Sequence, residues 1–189
     1  MIRIAIIGDI GSGKSYVSKL FGYPVFNADV EVTKLYRKNK KCYYKLKKKL
    51  PKYIVSFPIR KSELFQAIIK NKNNLKKITK IIHPEVRVQM NKFIKKNKRK
   101  KIVILDIPLL IENKLNKKND ILIFIDAKRK EVNKRLKKRL NFNPIVFKQL
   151  KKLQLPLEFK KKKSHFVIKN NFNNNLVKKS VKNIINSLY

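Results

Sequence analysis

Residues 2–7, IRIAII, form a short apolar run rich in β-branched side chains, and the run stops at the octet GDIGSGKS, residues 8–15. Three of the four glycines in the 189-residue chain fall inside that octet. The run predicts a buried strand, and KSYVSKLF, residues 14–21, predicts a helix directly after it. A strand, a glycine loop and a helix in this order are the setting in which G-x-x-x-x-G-K-[ST] cradles phosphate. The glycines let successive backbone N–H groups turn inward, and the positive end of the helix faces the same point. Gly11, Ser12, Gly13, Lys14, Ser15 and Tyr16 are the expected nucleotide-binding positions. Lys14 is expected to reach the β- and γ-phosphates, and Ser15 to offer its hydroxyl to Mg²⁺.

The rest of the chain alternates in kind. PVFNAD (24–29) predicts a second short strand, followed by helical spacing over 30–49 and a turn around Pro51 and Pro58. Further helices are predicted over 62–70 and 75–96. KIVILD (101–106) and ILIFID (121–126) predict central strands, with a helix over 129–139 after the second. Residues 141–163 read as polar and helical with breaks at Pro144 and Pro156, 165–170 as a last strand, and 176–188 as a closing amphipathic helix. Such alternation predicts an α/β fold with a parallel sheet covered by helices on both faces.

Acids are scarce, only eleven in the chain, yet PVFNAD and KIVILD each end in aspartate. Ligands of open α/β sheets bind beyond the carboxyl ends of the strands. Asp29 and Asp106 are therefore candidates for base or metal work, against the alternative that each caps the helix that follows.

The formal charge of +39 invites a nucleic-acid reading, but only eight of the fifty basic residues are arginine. Lysine, asparagine and isoleucine abound together, which is what A/T-rich codons encode, so the charge reads as compositional. Lysines 160–163, 178 and 179 read as solvated, although Lys160 also falls on a motif position described below. No apolar run is long enough to cross a bilayer, no signal peptide is evident, and one cysteine with two histidines offers neither a disulfide framework nor a zinc site. A cytoplasmic, monomeric protein without a specific nucleic-acid partner is expected.

The order of motifs resembles the dephospho-CoA kinases, P-loop small-molecule kinases. The family's opening GGIGSGKS corresponds to GDIGSGKS, its D-A-D to Asn27-Ala28-Asp29, and its H-P-x-V-R to His83 through Arg87. D-x-P-L-L-x-E is intact from Asp106 to Glu112, and R-L-x-x-R matches Arg135 to Arg139. Q-x-P-x-x-x-K is present from Gln154 to Lys160, and v-i-x-N ends at Asn170. The resemblance implies a P-loop NTPase-type three-layer core (1–29, 97–140 and 164–189), a helical acceptor domain (30–96) and a small lid (141–163). It implies ATP and dephospho-CoA as substrates with Mg²⁺. Asp29 would be the catalytic base beside Lys14, and Ser15 and Asp106 the metal residues. Arg135 and Arg139 would face the triphosphate, and His83, Arg87, Leu109 and Glu112 would lie near the acceptor. Another P-loop small-molecule kinase, or a basic nucleic-acid-binding protein retaining the fold, is the alternative. Four positions depart from the family pattern: Asp9 for glycine, Tyr16 for threonine, Asn27 for an acid, and Leu150 for the lid arginine, with Lys151 and Lys152 beside it.

Overall fold

The computed structural model describes residues 1–138 and 142–188; Arg139 lies outside the described residues. Five strands form one sheet in the order β2-β3-β1-β4-β5, every neighbouring pair parallel. The strands are β1 (Ile2–Gly8), β2 (Val25–Asn27), β3 (Ile102–Asp106), β4 (Ile121–Asp126) and β5 (Phe166–Lys169). Helices cover both faces, as the continuous apolar runs require. Ile4 and Ile6 of β1, Ile102 and Ile104 of β3, Ile123 and Ile125 of β4 and Ile168 of β5 share a cluster with α1 (Lys14–Leu20) and α9 (Asn174–Asn186), which supply Val17, Val177, Val181 and Ile184. The alternate residues Ala5, Ile7, Val103, Leu105, Leu122 and Phe124 are buried as well, so both faces of the three central strands are covered, while Val167 on the edge strand β5 is exposed.

The chain divides into two compact units. The first comprises residues 1–27, 96–142 and 151–189, and the second 28–95 and 143–150. The second unit is helical: α2 (Ala28–Lys38), α3 (Lys40–Lys49), α4 (Lys61–Lys70) and most of α5 (Asn73–Lys96) and α7 (Pro144–Lys151). In the first unit α6 (Arg129–Lys137) follows β4, and α8 (Leu157–Lys162) packs on β1.

Three expectations are corrected. The second strand stops at Asn27, and Ala28 and Asp29 open α2, whose first turn carries Asp29 and Glu31 against the positive end of the helix. The helix expected over 30–49 is two helices. Asn39 adopts extended backbone, and its side-chain oxygen accepts from the Cys42 N–H at 2.9 Å to cap α3. Pro144 and Pro156 open helices rather than break one: Pro144 begins α7, where Asn143 caps the N–H groups of Ile145 and Val146, and Pro156 precedes α8. Pro84, by contrast, lies inside α5. Cys42 is wholly buried in the second unit, and burial pushes its thiol up, which suits core packing rather than nucleophilic work.

Within the first unit Arg3 reaches Asp120 at the mouth of β4. Its Nη2 donates to Oδ2 at 2.9 Å, while Nε stands 2.9 Å from Oδ1 but off the hydrogen-bonding angle. Both side chains are buried, and Asp120 also accepts the Lys117 N–H at 2.9 Å. Burial pushes the Asp120 carboxyl up, only partly offset by the Lys117 N–H and Arg3. Removing one partner of such a pair leaves an uncompensated buried charge. We therefore expect Arg3→Met to lower the unfolding free energy by about 3 kcal/mol, and Arg3→Met with Asp120→Leu to recover much of that loss; urea denaturation of the two variants measures both.

Candidate active site

The parallel pairing places the carboxyl ends of all five strands on one edge of the sheet, and β1 runs out there into the phosphate loop. Gly13 caps α1 in the left-handed conformation at φ 93°, with no side chain capping the helix start. A Cβ at this position would run into the side-chain amide of Asn170. Asn170, 2% exposed, donates from Nδ2 to the Ser12 carbonyl at 2.7 Å, and its Oδ1 accepts the Phe172 N–H at 2.9 Å. The loop after β1 is thus tied to the end of β5. Residue spacing shows the asparagine of v-i-x-N but not this role, because its partner lies 158 positions away.

Lys14 is buried at 7% exposure, and its ammonium curls over the loop to donate to the carbonyls of Asp9 at 2.7 Å and Gly8 at 3.3 Å. Ser12 is buried, and its hydroxyl has no hydrogen-bond partner among the described residues. Ser15 and Tyr16 are exposed, and the Tyr16 N–H donates to Gly13 O at 3.1 Å. Asp9 is nearly buried: its Oδ1 accepts the Ile10 N–H at 2.7 Å and its Oδ2 pairs with Lys151 at 3.5 Å.

Sheet register sets Asn27 directly opposite Asp106. The Asn27 amide donates to Asp106 Oδ2 in a short hydrogen bond and to Ser15 Oγ at 3.3 Å. Asp106 is 2% exposed. One nitrogen therefore gathers the two oxygens expected to serve a metal ion. Among the described residues no group of three His, Cys, Asp or Glu side chains could hold a metal on its own. A hydroxyl and one carboxylate suit a hard cation that keeps several waters and takes the rest of its ligands from phosphates. The donor set fits Mg²⁺ held with a nucleotide.

Arg135, on the exposed side of α6, lays its guanidinium over the Phe172 ring with 4.3 Å to the ring centroid. Leu109 is half-buried and Leu110 fully buried, in keeping with core packing for the latter. Glu112 turns toward its own chain: its Oε1 accepts from the Leu155 N–H at 3.1 Å and from Lys160 Nζ at 3.0 Å. Lys160 is 0% exposed. The expectation that it is one of the solvated lysines is overturned, because α8 packs on β1 and carries Lys160 into the interior.

In the second unit Asp29 is exposed in the first turn of α2, two residues beyond the end of β2, and its carbonyl accepts from Thr33 Oγ1 at 2.9 Å. His83 and Arg87 stand one turn apart on α5, Arg87 exposed and His83 half-buried.

A family model described as dephospho-CoA kinase matches residues 2–176. The dephospho-CoA kinase of Wolbachia pipientis wMel is 32% identical over 190 residues, covering 98% of this chain and 97% of its own. Among solved structures, TT1252 from Thermus thermophilus aligns with a TM-score of 0.76 at 27% identity, covering 100% of this chain and 98% of that one. The dephospho-CoA kinase from Campylobacter jejuni shares the fold, with a TM-score of 0.62 at 20% identity and coverage of 100% and 98%.

The buried Glu112–Lys160 pair separates this lysine from its exposed counterparts. Lys160→Gln is expected to cost about 3 kcal/mol of stability, whereas Lys178→Gln with Lys179→Gln stays within about 0.5 kcal/mol; urea or thermal unfolding followed by circular dichroism reads both.

Proposed function

The chain belongs to the dephospho-CoA kinase family, and from that premise we propose how its residues divide the work. The protein is a kinase that phosphorylates the ribose 3′-hydroxyl of dephospho-CoA at the expense of ATP, giving coenzyme A and ADP, the closing step of coenzyme A synthesis. No helix among the described residues is long and apolar enough to cross a membrane. We assign the reaction to the cytoplasm and to a monomer.

The observation that carries the assignment of roles is the constellation of Ser15, Asn27 and Asp106 beside the glycine loop, joined by one amide. Backbone N–H groups of Gly11 to Tyr16 receive the phosphates, helped by the positive end of α1. Lys14 leaves the carbonyls of Gly8 and Asp9 for the β- and γ-phosphate oxygens, so its ammonium is held in reserve until a nucleotide arrives. Ser15 and Asp106 would hold Mg²⁺, which when bound offsets charge on the β- and γ-phosphates. Asn27 keeps the Asp106 carboxylate turned toward Ser15 without adding a second negative charge.

Asp29 accepts the proton of the 3′-hydroxyl as its oxygen bonds to the γ-phosphorus and the bond to the β-phosphate oxygen breaks, releasing ADP. Positioning and charge stabilisation supply the larger share of the rate, since little covalent chemistry falls to the protein. Arg135 and Arg139 are assigned to the triphosphate side. His83, Arg87 and Leu109 are assigned to the acceptor in the helical unit and its surroundings. Glu112 serves there by fixing the segment that begins at Leu155.

A coupled ADP-release assay with dephospho-CoA, AMP, dTMP and shikimate as acceptors tests the acceptor: turnover confined to dephospho-CoA is expected. In the same assay Lys14→Ala abolishes turnover. Asp29→Asn lowers kcat by about 10² or more with ATP affinity little changed, and Asp106→Asn raises the Mg²⁺ concentration required. Near-normal kcat in Asp29→Asn, with Asp106→Asn inactive at saturating Mg²⁺, would reverse the two roles.

A further inference from the structure

Asp9 puts a carboxylate inside a loop whose task is to receive anions, and two lysines converge on that one residue. The Asp9 carbonyl accepts from Lys14 Nζ at 2.7 Å, its Oδ1 accepts from the Ile10 N–H at 2.7 Å, and its Oδ2 lies 3.5 Å from Lys151 Nζ. The Asp9 side chain is 13% exposed and that of Lys151 39% exposed, so the pair is only partly screened by water. Lys151 closes α7, 142 positions away in sequence. A bare carboxylate here would repel a nucleotide's phosphates across a few ångströms of partly desolvated space.

We propose that Lys151 is a positioning residue for nucleotide binding, whose ammonium, docked on Asp9, cancels the charge that this loop carries where glycine is usual. The inference rests on the reading of Gly8 to Ser15 as the nucleotide phosphate site. Lys151 acts through Asp9 and not by contact with phosphate. It differs from the other paired surface lysines, Lys34, Lys45 and Lys161, in that its anionic partner sits in the phosphate loop. Lys152, its exposed neighbour, has no such partner among the described residues and shares only the general field of the chain.

The two ways a lysine could help separate in a double-mutant cycle. Asp9→Asn keeps the oxygen that accepts the Ile10 N–H while removing the charge. The dissociation constant of a non-hydrolysable ATP analogue with Mg²⁺, read by titration calorimetry on the full chain, is the observable. Lys151→Gln is expected to weaken binding about tenfold in the Asp9 background and by no more than about twofold in the Asp9→Asn background. Lys152→Gln is expected to change neither by more than about twofold. Circular dichroism melting of each variant confirms that the folded protein is being compared. Equal losses from Lys151→Gln in both backgrounds, or no loss in either, would overturn the proposal. A wild-type chain that binds no analogue would instead overturn the phosphate reading of the loop itself, an outcome seen before any variant is made.

Discussion

Strand β1 is hydrogen-bonded between β3 and β4, parallel to both, and the pairing is rigid because residues on both faces of all three strands are buried. A one-residue slip would move Ile4 and Ile6 out of their cluster and turn every neighbouring side chain to the opposite face. The register is therefore fixed by packing, and with it the level at which each strand reaches the carboxyl edge. That level delivers Gly8 to the start of the phosphate loop, sets Asn27 opposite Asp106, and brings the end of β5 close enough for Asn170 to hold Ser12. The chemistry depends on groups within hydrogen-bond reach of one another, and the sheet supplies that reach.

Lysine has four different fates in this protein, although the composition treats all lysines alike. Most are solvated and contribute mainly to the net charge. Lys14 is folded back over the loop on two carbonyls, Lys151 is paired with a loop carboxylate, and Lys160 is fully buried against Glu112. A buried ammonium is tolerated only where a carboxylate and further hydrogen bonds compensate it. Glu112 meets that need from a motif that otherwise reads as acceptor-binding. The excess of positive charge thus hides a few specific cations among many unspecific ones, and the burial of each partner is what separates them.

Two departures from the family pattern alter charge at the site in opposite directions. Asn27 removes a carboxylate beside Asp106, and Asp9 adds one in the loop. The first is absorbed locally, since an amide bridges Ser15 and Asp106 as a neutral donor. The second is met from a distance by Lys151. Leu150 stands where the family pattern has an arginine, and the adjacent Lys151 supplies a cation at Asp9, though as a point charge and without a planar fork.

The sequence by itself determined the parallel α/β fold, the strand–loop–helix that frames Gly8 to Ser15, and the family, because these rest on local periodicity and on short motifs whose residue types are dictated by backbone geometry. It singled out Lys14, Ser15 and Asp106, two of which, Ser15 and Asp106, the fold joins through the Asn27 amide. It misread the end of β2, where three apolar-to-polar residues pair as a strand and the acid beyond them starts a helix. It also misread residues 30–49, where a single asparagine side chain outweighs a continuous helical pattern. Only the tertiary structure decided that Asn27 joins Ser15 to Asp106, that Asn170 holds the loop, that Lys160 is buried and that Lys151 faces Asp9. Those facts are contacts between residues far apart in the chain, and they exist only once the packing of both sheet faces has fixed which strand lies beside which, and at what register.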